Sequence, residues 1–194
     1  MARSKEFDKN LVLHKAMEVF GHYGYEGASL PILLEGLGIA RQSLYDTYGT
    51  KKDLFIQAVK HYLEEKSSAV VVRLEKSESV KEAVRSIFRE IVLVLQDEDR
   101  RKECFILHSA IDQVPHEPKI AALFQEDQNR LEHAFYEALV RAKRRQELST
   151  GQDLQALARY LYHSRYALTQ VAKLTSNPQV LDEITTVTLS ALED

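Results

Sequence analysis

Only one cysteine, Cys104, occurs in the 194 residues, so no disulfide can close within the chain, and a reducing cytoplasm is the expected compartment. No apolar run approaches the ~20 residues that cross a bilayer. Nor does an N-terminal segment carry the charged, apolar and cleavage regions of a secretory signal. No membrane association is therefore expected. Charge of one sign is missing as well. The net charge is −3, and residues 1–66 hold nine basic and nine acidic side chains. Any attraction to nucleic acid must come from a local patch, built from Arg3, Lys5, Lys9, Arg41, Lys51 and Lys52. A Gly-rich phosphate loop, a nucleophile elbow and a metal-protease helix motif are all absent. No repeat, low-complexity segment or strand-like alternation appears.

What is present is an ordinary composition, 44% apolar and 28% charged, in a chain long enough to bury about 70% of its unfolded surface. Its apolar residues recur at helical spacing. Leu13, Ala16, Met17 and Phe20 form the stripe of a first helix, which Gly21 and Gly24 are expected to end, with Tyr25 folding back. Phe55, Ala58, Val59 and Tyr62 mark a helix from Lys51 to about Leu74. Val80, Val84, Ile87, Phe88, Ile91 and Leu95 mark the next, which ends at the charged Asp97–Lys102 turn. A shorter helix runs from Cys104 to about Gln113, before Pro115 and Pro118 interrupt. A long helix reaches about Gln146, then come a turn at Thr150, Gly151 and Gln152, a helix over Asp153–Leu174 and a last one over Pro178–Leu192. The expectation is an all-α protein of about nine helices.

The informative stretch is Gly27–Leu54. Ser29 can cap a short helix, with its side-chain oxygen taking an orphan N–H, and Pro31 is tolerated in that first turn. Leu33, Leu34 and Leu37 face inward and Gly38 breaks the helix. Ile39 plugs the corner and Ala40 opens a second helix through Thr47, with Leu44 inward and Arg41, Gln42, Ser43, Tyr45 and Thr47 outward. Two helices around a Gly-containing turn form a helix-turn-helix unit. Arg41 and Gln42 sit where such a helix reads the major groove: Arg suits guanine O6/N7 and Gln suits adenine N6/N7. Ser43 and Tyr45 suit phosphate oxygens, and Lys51 and Lys52 add charge along the flanking backbone.

The wording GYEGASLPILLEGLGIARQSLYDTYGTKKDLF resembles the DNA-binding region of the TetR/AcrR family of transcriptional regulators. The resemblance rests on Gly24-Tyr25-Glu26-Gly27-Ala28-Ser29, the Leu37-Gly38-Ile39 turn, the Ser43-Leu44-Tyr45 core, Tyr48, and Lys51 with Asp53-Leu54. Gly36 departs from the small helix former usual there and Pro31 from a polar residue, and both are expected to loosen that helix. Looser likeness to the family's regulatory domain continues through Cys104-Phe105, Ser109-Ala110, Arg141-Ala142 and Ala167-Leu168.

The resemblance implies a three-helix DNA-binding domain over residues 1–66 and a helical-bundle regulatory and dimerisation domain over 67–194. Double-stranded operator DNA would meet Ser29, Arg41, Gln42, Ser43, Tyr45, Thr47, Tyr48 and Lys51. A small-molecule effector is expected among Phe88, Cys104, Phe105, His108, Phe124, His133, Tyr136, Tyr162, His163 and Tyr166, a mixture able to hold an apolar body and orient one polar end. The last two helices would pair with their twins in a homodimer through Leu161, Leu168, Val180, Ile184 and Val187, since a helix apolar over more than one stripe must bury a second face. No cofactor, metal or catalytic residue is expected. The alternative from another class is a small helical enzyme, or a metal or redox sensor, using Cys104, His108 and His133.

Overall fold

The computed structural model describes residues 7–148, 151, 153–175 and 177–193. Arg3, Lys5, Thr150 and Gln152 lie outside the described residues. The helices are α1 (Lys9–Gly27), α2 (Leu30–Leu37), α3 (Arg41–Tyr48), α4 (Lys51–Lys76), α5 (Val80–Gln96), α6 (Arg101–Cys104), α7 (Ile106–Gln113), α8 (Pro118–Arg144), α9 (Leu154–Leu174) and α10 (Pro178–Ser190). Nine of them have eight residues or more, α6 is a single turn, and no strand occurs among the described residues. The all-α expectation holds. No helix among those residues is long and apolar enough to cross a membrane.

The helices sort into two compact units. One lies within Met1–Tyr62 and Lys102–Ala121, the other within Leu63–Arg101 and Ala122–Asp194. The sequence placed its functional boundary near residue 67. It did not anticipate that the 102–121 segment packs with the N-terminal helices.

In the first unit, Asp8 caps α1 by accepting from the Asn10 and Leu11 amides. Met17, Phe20, Leu33, Leu37, Leu44, Leu54 and Phe55 are fully buried. Phe20 and Phe55 meet edge to face at 4.9 Å, and Tyr25 folds back to 4.8 Å from Phe55. Gly24, at φ 73°, is where α1 loses helical geometry. Gly21 does not end the helix. A Cβ built on it would lie 2.6 Å from the Lys102 carbonyl oxygen and 3.1 Å from the Ile106 nitrogen, so its role is to let the chain entering α7 seat against α1. Ser109 Oγ donates to the Phe20 carbonyl at 2.8 Å, and His14 Nδ1 lies 2.8 Å from Glu103 Oε1. Together these fasten α6 and α7 onto α1.

A Gly21→Ala variant should therefore melt at a lower temperature. Alanine gains about 1 kcal/mol of helix propensity over glycine, but overpacking against backbone that cannot rotate away costs roughly 1–3 kcal/mol. A thermal melt decides it; an unchanged or higher midpoint would show that the seat is soft.

In the second unit, helix ends are tied by side chains. Glu147 Oε2 accepts from Ser79 Oγ at 3.0 Å and from the Val80 amide at 2.9 Å, placing a carboxylate at the N-terminus of α5 where the helix dipole favours it. Arg141 donates to the Leu74 carbonyl at 2.8 Å near the end of α4. Asp153 caps α9, and Asn177 caps α10 just before Pro178. Helices α5, α9 and α10 pack on one another, with Val84, Ile87, Phe88, Leu95, Leu161, Leu168 and Leu181 buried.

Candidate nucleic-acid interface

Helix α2 begins at Ser29, whose φ and ψ are extended, with Pro31 in its first turn. The Ser29 side chain makes no cap bond, contrary to the expected capping. The residue is exposed instead. Gly38 ends α2 in the left-handed region at φ 68°, ψ 29°, a conformation that costs other L-residues about 1–2 kcal/mol. Gly36 was expected to loosen α2, yet a Cβ there would lie 2.5 Å from Val19 Cγ2. Its missing side chain is what lets α2 close onto α1.

Helix α3 follows after a short corner, and burial separates its faces. Leu44 is fully buried; Arg41, Gln42, Tyr45 and Asp46 are exposed; Ser43 and Thr47 are half-buried. The Arg41 guanidinium lies 5.8 Å from the Tyr45 ring centroid, close enough for a cation–π contact that limits the wandering of a long side chain. Tyr48 departs from the expected contacting set. It is buried, its ring is 6.3 Å from that of Phe7, and its hydroxyl donates to the Lys9 carbonyl at 3.0 Å. Burial pushes its hydroxyl pKa up, with the Asp8 charge adding to the effect. Tyr48 thus braces α3 from behind.

Past α3, Thr50 and Asp53 cap α4 reciprocally. The Asp53 amide donates to Thr50 Oγ1 at 3.2 Å, and Asp53 Oδ2 accepts from the Thr50 amide at 3.0 Å and hydroxyl at 2.6 Å. Gln57 Nε2 donates to the Tyr48 carbonyl at 3.0 Å, tying the end of α3 to α4. Lys51 Nζ sits 4.8 Å from the Tyr25 ring centroid and 3.4 Å from the Glu26 carbonyl. That leaves N–H donors for a phosphate, since an ammonium carries three. Lys52 is engaged by Glu117 at 3.0 Å, a bond that raises the lysine's pKa and lowers the carboxyl's.

The bond from the Thr50 hydroxyl, then that from its amide, holds the Asp53 carboxyl below the usual range. A carboxyl depressed by folding contributes stability that is fully present above its unfolded pKa of about 4 and is lost as pH falls through the folded value. An Asp53→Ala variant should thus melt well below the wild type near neutral pH, and the two should converge as the solution is acidified below about pH 4. A gap independent of pH would mean that the charge plays no part in the cap.

The expected effector residues divide between the units. Cys104, Phe105 and His108 belong to the first: Cys104 and His108 are buried, and the Phe105 and His108 rings are 5.6 Å apart. The others belong to the second. There Asp127, 6% exposed, accepts from Ser67 Oγ on one oxygen and from Tyr166 at 2.8 Å and Tyr162 at 3.3 Å on the other. Phe124 stacks obliquely on Tyr166 at 6.1 Å. Burial pushes both tyrosine hydroxyls well above the ordinary range. Close by, Arg165 has Nε and Nη1 buried without an acceptor. Phe88 is sealed in the core and Tyr136 is half-buried. His133 and His163 are both exposed, and neither joins this hydrogen-bonded cluster. Asp127, Ser67 and Arg165 escaped the sequence reading, because isolated polar residues on amphipathic helices read as solvent-facing.

The dimer set also divides. Leu161 and Leu168 are fully buried inside their own unit, so they are not available to a twin; that part of the expectation is corrected by core packing. Val180 and Ile184 are half-buried, while Val187 is 67% and Leu174 85% exposed. The open apolar row on α9 is Tyr160, Ala167 and Leu174, with Val171 half-buried beside it, one step around from the predicted one.

The sequence family described as bacterial regulatory proteins, tetR family, matches residues 12–58, which run from α1 across α2 and α3 into α4. The chain is 56% identical, over the full length of both, to YezE of Bacillus subtilis (strain 168), an uncharacterised HTH-type transcriptional regulator. The chain belongs to the TetR family. It is a DNA-binding transcriptional regulator. A second relative, the HTH-type transcriptional repressor ComR of Escherichia coli (strain K12), is 28% identical over 82% of this chain and 76% of its own. Among solved structures, a cysteine mutant of the TetR-family regulator CifR, in a complex with 26-bp double-strand operator DNA, superimposes with a TM-score of 0.83 at 28% identity, covering 97% of this chain and 99% of that one. These relatives are regulators of transcription, not enzymes, which removes the small-enzyme alternative.

Proposed function

We propose that this TetR-family chain is a repressor that binds palindromic operator DNA as a homodimer and releases it when a small molecule binds. The observation that carries the reading is the two-faced α3. Leu44 and Tyr48 anchor it from behind, and Arg41, Gln42, Ser43, Tyr45 and Thr47 lie on or beside its open face, flanked by Ser29 and Lys51. Residues 1–66 would do the reading, and 67–194 the dimerisation and effector binding. The exposed Tyr160, Ala167, Leu174 and Val187, with the half-buried Val171, Val180 and Ile184 beside them, supply an apolar surface for a second copy. A repressing role follows the name of ComR, and operator binding the complex of CifR. The Asp127–Tyr162–Tyr166 cluster beside Phe124 is the polar end against which an effector would be oriented. Release demands that the effector bind one state of the dimer better than the other; a tenfold loss of operator affinity needs about 1.4 kcal/mol of such coupling.

Selection of bound sequences from random duplex DNA tests the proposal. The recovered site should be a palindrome whose half-site centres lie about 34–36 Å apart, or a multiple of that. Recovery of a single asymmetric site, or of no preferred sequence, would refute the dimeric reading head.

A further inference from the structure

Beyond the base-reading pair and Tyr45, the open face of α3 carries a carboxylate, Asp46. Asp46 lies one turn after Gln42, and Gln42 Nε2 donates to Asp46 Oδ1 at 2.7 Å. Beside it runs the Arg41–Tyr45 contact, so two i,i+4 pairs lie in parallel on the exposed surface.

An ionised aspartate only accepts hydrogen bonds. The end of the Gln42 amide that faces it must therefore be the nitrogen, and rotation of the amide by half a turn would set oxygen against oxygen. One amide hydrogen is committed to Asp46. The other hydrogen and Oε1 remain as a donor and an acceptor side by side. Adenine presents the matching pair in the major groove, an N7 acceptor and an N6 donor, whereas guanine presents two acceptors, N7 and O6. A glutamine meets two acceptors only by offering both amide hydrogens, and here one of them is held.

We infer that Asp46 is a positioning residue that locks the Gln42 amide and so makes α3 an adenine reader at that base pair, closing off the guanine mode. The inference rests on the reading of α3 as the major-groove helix. It also explains a carboxylate on a surface that approaches phosphates: its repulsion lowers affinity for all DNA, and its bond sharpens the choice among bases.

The test is sequence selection with the full-length protein and its Gln42→Ala, Asp46→Ala, Asp46→Glu and Arg41→Ala variants, each checked by thermal melting. The wild type should prefer A·T at one position per half-site by roughly 5- to 150-fold, the range a good bidentate contact supplies. Gln42→Ala should abolish that preference. Asp46→Ala should cut it to about threefold or less at the same position, with G·C rising, while general DNA affinity increases as a negative charge is removed. Asp46→Glu keeps an acceptor-only group within reach and should restore most of the preference. Retention of the preference in Asp46→Ala, when Gln42→Ala loses it, would overturn the lock while leaving the reading helix intact. So would loss of a cytosine preference at a different position, which would make Asp46 a base contact itself. If neither Gln42→Ala nor Arg41→Ala changed any position, the placement of α3 in the groove would fail first, and the lock with it.

Discussion

Replacing Val187 with glutamate should yield a folded protein that sediments as a monomer at micromolar concentration and binds operator at least 100-fold more weakly than the wild type. Val187 is 67% exposed within its own chain, so the substitution leaves the core of its unit intact, and surface changes of that kind move stability by only about 0.5 kcal/mol. In a two-fold interface the same patch is used by both copies, so each dimer would gain two carboxylates at once. An ion taken out of water without a partner costs several kcal/mol, and every 1.4 kcal/mol is tenfold in affinity. A thermal melt separates this outcome from misfolding. A variant that remained dimeric, or a wild type already monomeric at micromolar concentration, would move the interface elsewhere.

The second large effect separates reading from positioning. Arg41→Ala should cost about 1–3 kcal/mol per half-site on the selected operator and relax the choice at one base pair, because it removes a fork suited to guanine O6 and N7. The Arg41 side chain is exposed, so little stability should go with it. Lys51→Ala should weaken every sequence alike and lower the slope of log affinity against log salt by roughly one per subunit. Because Lys51 also lies over Tyr25 and near the Glu26 carbonyl, a modest fall in melting temperature is expected as well. Binding measured on selected and scrambled duplexes at several salt concentrations distinguishes the two. An Arg41→Ala protein with an unchanged selected sequence would displace the reading helix from α3.

How far the sequence reveals this molecule depends on whether a residue's role is set locally. Helix periodicity, the prolines at 115 and 118 and the caps at Asp153 and Asn177 act within a few residues, and the observed helices follow them closely. The reading face was legible for the same reason: Leu44 inward, with Arg41, Gln42 and Tyr45 outward, is a matter of spacing along one helix. Roles set by distant partners were not legible. Gly21 looks like a helix stop until the Lys102 carbonyl is seen against it. Tyr48 looks like a surface hydroxyl until its bond to Lys9 is placed. Asp127 sits among the polar residues of a long amphipathic helix, and only the fold brings Ser67, Tyr162 and Tyr166 to it. Leu161 and Leu168 share their helix with two apolar rows, and spacing alone does not say which row faces the core.

The attachment of α7 to α1 bears on how such regulators can be recombined. A chimera that joins residues 1–66 to the body of another regulator would keep every residue of the reading helices. It would lose the partners of Gly21, Phe20 and His14, which are supplied by Lys102, Ser109 and Glu103. The reading head is therefore not a cassette that a single crossover can transplant. Grafting it onto a new sensor requires a second exchange that carries 102–121 along, or a recipient whose own segment presents a carbonyl and a hydroxyl at the same two places on α1.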